Sequence, residues 1–407
     1  MLSSLRIVDS TQPEVVLRAL HRALDATGPA VLPRAPRSLG DREAHGSDTA
    51  RDEEFWDVNK NIALVVETSG STGTPKRVAL DREALRSSAT ASALALCGRG
   101  QWLLAVPAHY IAGASVLVRS IEAGTKPVVY PDGHFDAEQF SVLAATMTHE
   151  NRYTSLVPVQ LARIISAIEG GSEQVAVAAR RFDGILVGGQ ALATDLAERA
   201  RTLGMRIHTT YGSSETSGGC VYDGTPFDNT VVRLNDGMLE ISGPTLARGY
   251  LGDPVRTRSS FVESEGRRWY RTGDLGEIIE GIVRVHGRAD NVIISGGEKV
   301  LLDAVERVVR EVTGCSEAIV IAEDHSEWGQ VPVAVVPTVS ATRIGDLSSI
   351  RSRVVEQLGR AAAPARIEFV AEIPLLATGK PDRLGTARLV THQRERHAGP
   401  HETALLK

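Results

Sequence analysis

The sequence predicts an α/β protein. A large N-terminal part is built of mostly parallel sheets covered by helices and carries a small antiparallel subdomain. A small α+β domain follows it. Three observations carry this reading. Short β-rich runs alternate with helical patterns up to about Gly212, which is the signature of a parallel sheet covered on both faces. After about Leu234 the runs become alternating and are joined by turn residues. Beyond residues 287–291 a strongly amphipathic helix among further strands marks a compact unit of roughly a hundred residues, a normal domain size. The expected division is residues 1–289 and 290–407.

The elements follow in order. PEVVLRALHRALDAT (13–27) places apolar residues at helical spacing. The polar stretch 36–54 reads as an exposed linker. NIALVV (61–66) reads as a buried strand. WLLAVP, KPVVYP, YTSLVP, FDGILVGG and MRIHTTYG are further strands, each ending at Pro or Gly. AEQFSVLAATMTHE and PVQLARIISAIEG are helices between them. In such sheets ligands bind beyond the carboxyl ends of the strands. GMLEISGP, WYRTGDLGEII and GIVRVHGR form the antiparallel subdomain, with a hairpin turn at Glu280-Gly281. LLDAVERVVREV sets Leu301, Val305, Val308, Val309 and Val312 on one helical face. EAIVIAED, VPVAVVPT and RIEFVAEI are strands, IRSRVVEQLG a helix, and residues 392–407 a frayed tail.

Bulk composition removes several function classes. The chain has 407 residues, 42% hydrophobic and 23% charged, with net charge -5. That balance speaks against DNA as the main partner, and 4% aromatics speak against a stacking platform for single-stranded nucleic acid. The three cysteines, Cys97, Cys220 and Cys315, lie far apart, so neither a zinc site nor a disulfide framework is expected, and a reducing compartment fits. No apolar run is long enough to span a bilayer, and the first residues do not read as a signal peptide. The expectation is a cytoplasmic protein without membrane or nucleic-acid partners.

The most informative stretch is VVETSGSTGTPKRVAL (65–80): a buried strand running into a hydroxyl-rich, glycine-rich loop that ends in a cation. Backbone N–H groups, hydroxyls and one lysine suit a polyphosphate. A merely polar surface loop remains the plain alternative. The stretch is not a Walker loop, because Lys76 follows Pro75 and precedes Arg77. Four later segments matter for their order. TTYGSSETSGG (209–219) carries an aromatic, small hydroxyls and Glu215. YRTGDLG (270–276) holds Asp274 in a tight turn. GRADNVIISGGEKV (287–300) offers Arg288, Asp290 and a double glycine. LLATGKPDR (375–383) presents Lys380. Taken singly, each has a plain reading as a loop acid, a turn cap, a bulge or a surface lysine.

Together, TSGSTGTPK, YGSSE, YRTGD, GRADN and TGK resemble the adenylate-forming superfamily of acyl-CoA synthetases, peptide-synthetase adenylation domains and luciferases. The resemblance runs from about Asn61 to Arg383. Members commonly carry a longer segment before the phosphate loop, so the N-terminal subdomain is expected to be reduced. The resemblance implies ATP and Mg²⁺ as cofactors, coenzyme A as co-substrate, and a mobile C-terminal domain. It implies that Thr68, Ser69, Gly70, Ser71, Thr72, Gly73, Thr74 and Lys76 close over the β- and γ-phosphates. Tyr211 and Gly212 would lie beside the adenine. Ser214 would lie near the α-phosphate, and Glu215 would help hold Mg²⁺. Gly188, Gly189 and Gln190 would shape the adenine and acyl pockets. Asp274 and Arg288 would meet the ribose, Asp290 would be the hinge, and Gly296 and Gly297 would admit the pantetheine arm. Lys380 would bridge the acyl carboxylate and the phosphate. Such chemistry needs positive charge where the α-phosphate gains negative charge, and it needs no general base, because a carboxylate is already ionised at neutral pH.

PAHYIAGASVLVRSIEAG (107–124) resembles the "H-I-S-G" then "R-S" wording of o-succinylbenzoate–CoA ligases of menaquinone synthesis, with His109, Ile111, Gly113, Ser115, Arg119 and Ser120 at those positions. Tyr110 and Ala112 depart from it. The implied acid has two carboxylates, and His109 and Arg119 would serve the one that is not activated. Arg119 also reads as a helix-surface arginine. Other readings stay open: a ligase for another aromatic or short acid, an adenylation enzyme that loads a carrier protein, or a nucleotide-binding protein without ligase activity. The small-molecule partners would be a carboxylic acid, ATP and CoA, and the chain could form a homodimer.

Overall fold

The computed structural model describes residues 2–35, 57–68, 75–338, 347–375 and 381–397. The linker at 36–54, the loop residues Ser69 to Thr74, Lys380 and the tail beyond 397 lie outside the described residues. Contacts divide the chain into two compact units. Unit 1 is Met1–Asn235, Glu240–Thr272 and Ile278–Val283; unit 2 is Asp236–Leu239, Gly273–Glu277 and Arg284–Lys407.

Unit 1 begins with β1 (Leu2–Asp9), α1 (Pro13–Leu24), β2 (Ala30–Arg34), β3 (Asp57–Asn59), β4 (Ile62–Thr68), β5 (Lys76–Asp81) and α2 (Arg82–Ala95). The α1 pattern buries Val16, Leu20, Ala23 and Leu24 on one side, as its spacing predicts. Asp81 ends β5 and starts α2, its carboxylate accepting from the Ala84 N–H at 2.8 Å, a cap worth about 1 kcal/mol. The strands order as β5-β4-β2-β1-β3. β1–β2 and β2–β4 are parallel, whereas β4–β5 and β1–β3 are antiparallel. This sheet is therefore mixed, not mostly parallel. The reason is local: β4 and β5 are the two arms of one hairpin, and a short connection forces antiparallel pairing.

The second sheet fits the parallel expectation better. Its elements are β6 (Gln101–Leu104), α3 (Ile111–Ala123), β7 (Val128–Val129), α4 (Ala137–Ala145), β8 (Arg152–Leu156), α5 (Pro158–Glu169), α6 (Glu173–Arg180), β9 (Gly184–Val187), α7 (Thr194–Thr202), β10 (Ile207–Ser213), β11 (Gly218–Tyr222) and β12 (Thr225–Pro226). The order is β12-β11-β10-β9-β8-β6-β7, parallel from β7 through β10 and antiparallel beyond. Phe135, Phe140 and Phe182 stack in its core beside Leu161, Ile164 and Ile165. Each fully buried side chain of this size contributes about 1.5–3 kcal/mol.

The antiparallel subdomain comprises β13 (Val231–Asn235), β14 (Met238–Ser242), β15 (Gly249–Tyr250), α8 (Pro254–Ser260), β16 (Phe261–Ser264), β17 (Arg267–Ile279) and β18 (Ile282–Arg288). β15 leaves it to pair with β5. Glu280 and Gly281 have φ of 51° and 81°, as a two-residue hairpin requires.

Unit 2 adds β19 (Val292–Ser295), β20 (Glu298–Leu301), α9 (Leu302–Arg310), β21 (Ile319–His325), β22 (Gly329–Pro337), α10 (Leu347–Leu358), β23 (Arg366–Val370) and α11 (Arg383–His397). Two expectations are corrected here. Leu301 ends β20, and Leu302 takes its place on the buried face of α9 with Val305, Val308 and Val309. Residues 392–397 are not a frayed tail but the last turns of α11, whose Val390 is buried among Ile319, Ile321, Val333 and Val335.

Candidate active site

The β4–β5 hairpin sets Thr68 opposite Lys76 and Glu67 opposite Arg77. From Lys76 the chain reaches Glu215: Nζ lies 3.6 Å from Oε1. The same oxygen accepts a 2.8 Å hydrogen bond from the Tyr250 hydroxyl. Lys76 Nζ also sits 5.5 Å from the centre of the Tyr250 ring. Burial, and then the Glu215 charge, push the Tyr250 hydroxyl pKa up, so it stays protonated and donates. Glu215 itself is 4% exposed. A buried carboxylate at this depth needs partners, and these are the two it has among the described residues.

Its backbone is fixed from both sides. Ser213 caps a single 3₁₀ turn, accepting from the Glu215 N–H at 3.2 Å, while the Thr216 hydroxyl accepts from the Ser213 N–H at 2.8 Å. The Ala247 N–H donates to the Glu215 carbonyl at 2.8 Å. A Cβ on Gly212 would lie 2.2 Å from the Gly218 carbonyl oxygen, so only glycine lets the turn fold back this tightly. Ser214 is buried in this turn and Tyr211 is half-buried before it. At the end of neighbouring β9, Gly188 abuts Thr210, with a Cβ there meeting Oγ1 at 2.4 Å, and Gly189 has φ of 84°. Gln190 follows. Tyr211, Gly212, Ser214 and Glu215 thus share the strand ends with Gly188, Gly189 and Gln190, as the sequence predicts.

One observation suits a phosphate at this place: the Thr68 hydroxyl, at the edge of the loop, is buried without a hydrogen-bond partner among the described residues. Glu215, a single buried carboxylate, is a donor that fits Mg²⁺, which keeps waters and phosphate oxygens as its other ligands.

The His109 segment is positioned by β6 and α3. Gly113 lies in the first turn of α3, where a Cβ would sit 2.2 Å from the Pro107 carbonyl oxygen. The Ser115 and Ser88 hydroxyls both donate to the Ser217 carbonyl, at 3.3 and 3.0 Å. Gly218 packs under Ser115 and Ile111. The start of α3 is thereby pinned to the Glu215 turn. His109 Nδ1 lies 2.9 Å from Ser10 Oγ, and its ring centre is 4.0 Å from that of Tyr110. Burial lowers the His109 pKa, with Asp132 opposing. Burial pushes the Tyr110 hydroxyl up to about 12.

Arg119 is not the surface arginine that its helical setting suggested. It is buried, its guanidinium 4.9 Å above the Trp102 ring, and Nη2 donates to the Tyr222 hydroxyl at 3.3 Å. It lies eight residues beyond Ile111, about 12 Å along the helix axis. No contact among the described residues joins it to His109. Ser120 is also buried, its hydroxyl donating to the Val116 carbonyl at 2.9 Å, a bond internal to the helix.

Asp274, Arg288, Asp290, Gly296 and Gly297 belong to unit 2. Asp274 does not sit in a tight turn. It lies within the long strand β17, where Gly273 at φ 74° breaks the regular pleat and leaves room for the Arg288 guanidinium. Arg288 grips Asp290 with Nε and Nη2, each at 3.1 Å, and its Nη1 lies 3.5 Å from Asp274 Oδ1. Its backbone N–H donates to Asp303 at 2.8 Å. Asp303 also accepts from Asn291 and Arg383. Gly296 and Gly297 form the β19–β20 turn with φ of 58° and 86°.

Sequence reasoning missed Tyr250, Ser10, Asp303 and a cluster at the hairpin base. There Glu67 takes Arg34 at 2.8 and 2.9 Å and Arg77 at 2.9 Å. Only the Glu67–Arg77 pair, set across one hairpin, left a local signal.

Comparison with known proteins places this geometry. The family model for AMP-binding enzymes matches residues 5–251, and that for the AMP-binding enzyme C-terminal domain matches residues 304–380. A probable 2-succinylbenzoate–CoA ligase of Mycobacterium tuberculosis is 35% identical over 390 residues, 91% of this chain and 98% of the relative. A 2-succinylbenzoate–CoA ligase of Listeria monocytogenes is 31% identical over 346 residues, 81% of this chain and 70% of the relative. The Bacillus subtilis o-succinylbenzoate CoA synthetase in complex with the acyl-adenylate OSB-AMP superposes with TM-score 0.70 at 24% identity, covering 94% of this chain and 82% of that one. A variant of Escherichia coli MenE with bound OSB-AMS gives TM-score 0.71 at 25% identity, covering 96% and 87%. The chain belongs to the AMP-binding, adenylate-forming enzyme family.

Proposed function

We propose that the chain is an AMP-forming acid–CoA ligase whose acid is o-succinylbenzoate, acting in menaquinone biosynthesis. The observation that carries the reading is the convergence of Lys76, Glu215 and Tyr250 beside the start of α3. It sets a cation and a buried carboxylate next to the His109 segment, whose wording is that of the o-succinylbenzoate ligases. The match to the mycobacterial relative, over 91% of this chain and 98% of that one, supports the same acid.

In the first step an acid oxygen attacks the α-phosphorus, the bond to the β-phosphate oxygen breaks, and pyrophosphate leaves. Thr68 and Lys76 hold the leaving phosphates. Glu215, with phosphate oxygens and water, would hold Mg²⁺, which when bound neutralises charge on the phosphates. Tyr211 packs on the adenine, Ser214 meets the α-phosphate, and Asp274 and Arg288 take the ribose. Lys380 neutralises the reacting carboxylate and phosphate. In the second step the thiol of CoA attacks the acyl carbon and AMP leaves, with Asp290 as the hinge and Gly296-Gly297 as the approach for the pantetheine arm.

The test is pyrophosphate exchange over a panel of acids, followed by product analysis with and without CoA. Strongest exchange with o-succinylbenzoate and a CoA thioester product are expected. Strongest exchange with benzoate or a fatty acid would refute the acid. Adenylate formation without a CoA product would transfer the assignment to carrier-protein loading.

A further inference from the structure

Ser10 follows the last residue of β1, and its backbone N–H continues the ladder by donating to the Arg34 carbonyl at 2.9 Å. The chain is turned there by Asp9, whose carboxylate accepts from both the N–H and the hydroxyl of Thr11, at 2.9 and 2.7 Å. This turn leaves Ser10 5% exposed, with its hydroxyl 2.9 Å from His109 Nδ1. A buried hydroxyl needs a partner, and the imidazole nitrogen is the one it has among the described residues. The contact spans 99 positions in the chain, so nothing local imposes it. The His109 ring also packs against Tyr110, with ring centres 4.0 Å apart and the planes tilted by 55°, and two residues before it Pro107 is closely approached by Gly113.

We propose that Ser10 is a positioning residue for acid recognition. Its hydroxyl donates to His109 Nδ1, so that the neutral ring carries its proton on Nε2 and donates it to the carboxylate that is not activated. The proposal rests on the dicarboxylic acid assigned above. The chemistry is that of any ligating or donating histidine: the bond made by one ring nitrogen fixes what the other can do. Without Ser10, a neutral ring can place its proton on Nδ1 and turn a lone pair toward an anion, which repels it. A lowered His109 pKa is consistent with a neutral ring, while the Asp132 charge pulls the other way.

The decisive measurement is the tautomer, read by ¹⁵N NMR of the full-length protein labelled at histidine, with His109→Asn assigning the signal. Wild type should show a protonated Nε2 and an unprotonated, hydrogen-bonded Nδ1. Ser10→Ala should lose that pattern and Ser10→Thr should keep it. In kinetics, Ser10→Ala should raise the KM for o-succinylbenzoate by roughly three- to tenfold, the range of one hydrogen bond, with KM for ATP unchanged. An Nδ1–H ring in wild type would overturn the proposal, as would an unchanged tautomer in Ser10→Ala. Equal rises in KM for acid and ATP would reduce Ser10 to a packing residue. If Ser10→Ala does not fold, the wild-type and Ser10→Thr spectra decide. If the wild type turns over no dicarboxylic acid, the acid assignment and the donation to a carboxylate fail, whereas the tautomer still decides whether Ser10 sets the ring.

Discussion

Glu215 in unit 1 and Asp290 in unit 2 each meet a cation, but in different surroundings. Glu215 is almost fully buried, and its lysine stands off at 3.6 Å. The Asp290 side chain is 60% exposed, yet Arg288 grips it at two points, each 3.1 Å. The shorter contact is the weaker one. An exposed pair is screened and contributes little, whereas a buried carboxylate that loses its partners is costly. Unit 1 holds a fixed charge, which suits the phosphate and metal role proposed for Glu215. Unit 2 holds a contact that can break and re-form cheaply, which suits the hinge role proposed for Asp290.

The largest effects should come from the two charges proposed to act at the phosphates and the reacting acid. Glu215→Gln should lower pyrophosphate exchange on the order of a hundredfold, the scale of one lost electrostatic partner in the transition state, while the protein stays folded. Lys380→Ala should lower exchange as much but leave CoA attack on supplied acyl-adenylate near wild type. Exchange within about threefold of wild type in either variant would remove that residue from its role.

Local patterns announced one half of this comparison better than the other. The strand 62–68, Lys76 and the Glu215 turn are each set by local sequence, and hydrophobic period plus turn residues were enough to place them. Tyr250 and Ser10 were invisible because their partners, Glu215 and His109, are brought to them only by the sheet. The surface alternative for Arg119 fails because α3 is buried on nearly every side and leaves no polar face to count from. Asp274 looked like a turn residue because Thr-Gly-Asp is turn chemistry, yet Gly273 absorbs the irregularity inside a strand. Helix α11 was missed because Gly385, Thr386, Val390 and Thr391 are poor helix formers. Packing of Val390 and Ala387 on the sheet overrides them.

Two glycines give the next contrast. Gly113→Ala in unit 1 drives a Cβ into the Pro107 carbonyl, and neither backbone can yield freely, so a loss of about 1–3 kcal/mol is expected. Gly297→Ala in unit 2 meets nothing within 4 Å and suffers only its φ of 86°, a loss of about 1 kcal/mol. Denaturant titration compares them. Gly113→Ala should in addition raise the KM for the acid, because the Pro107 segment it would push against leads into His109. Equal losses in both variants would contradict the tight α3 start.

Asp290→Asn should leave the denaturant midpoint and pyrophosphate exchange unchanged. It should slow thioester formation by roughly five- to tenfold if the Arg288 grip times the conformational step. Rapid-quench measurement of the two half-reactions checks this. A variant that slows both halves alike would make the grip a general support and not part of a hinge.

Each unit also carries glutamates held by two arginines, among them Glu67 with Arg34 and Arg77 in unit 1 and Glu323 with Arg366 and Arg394 in unit 2. Burial alone would raise the Glu67 pKa, but hydrogen bonds from Arg34 and Arg77 outweigh it and hold the carboxyl below its usual value. Arg366, chiefly, does the same for Glu323. A lowered folded-state pKa gives stability that is present above the unfolded value, about 4.3, and is lost as pH falls through the folded value. The stability gap between wild type and Glu67→Gln should therefore be level above about pH 5 and close below about pH 4, and Glu323→Gln should behave alike. Both gaps should be about 1 kcal/mol or less. Function separates them. Glu67 adjoins Thr68 and stands opposite Arg77 beside Lys76, so its loss should raise the KM for ATP by roughly threefold, the scale of one weakened contact. Glu323→Gln should leave the KM for ATP unchanged. Equal shifts in both variants, or a gap that widens in acid, would show that the hairpin cluster does not brace the phosphate-binding end of β4 and β5.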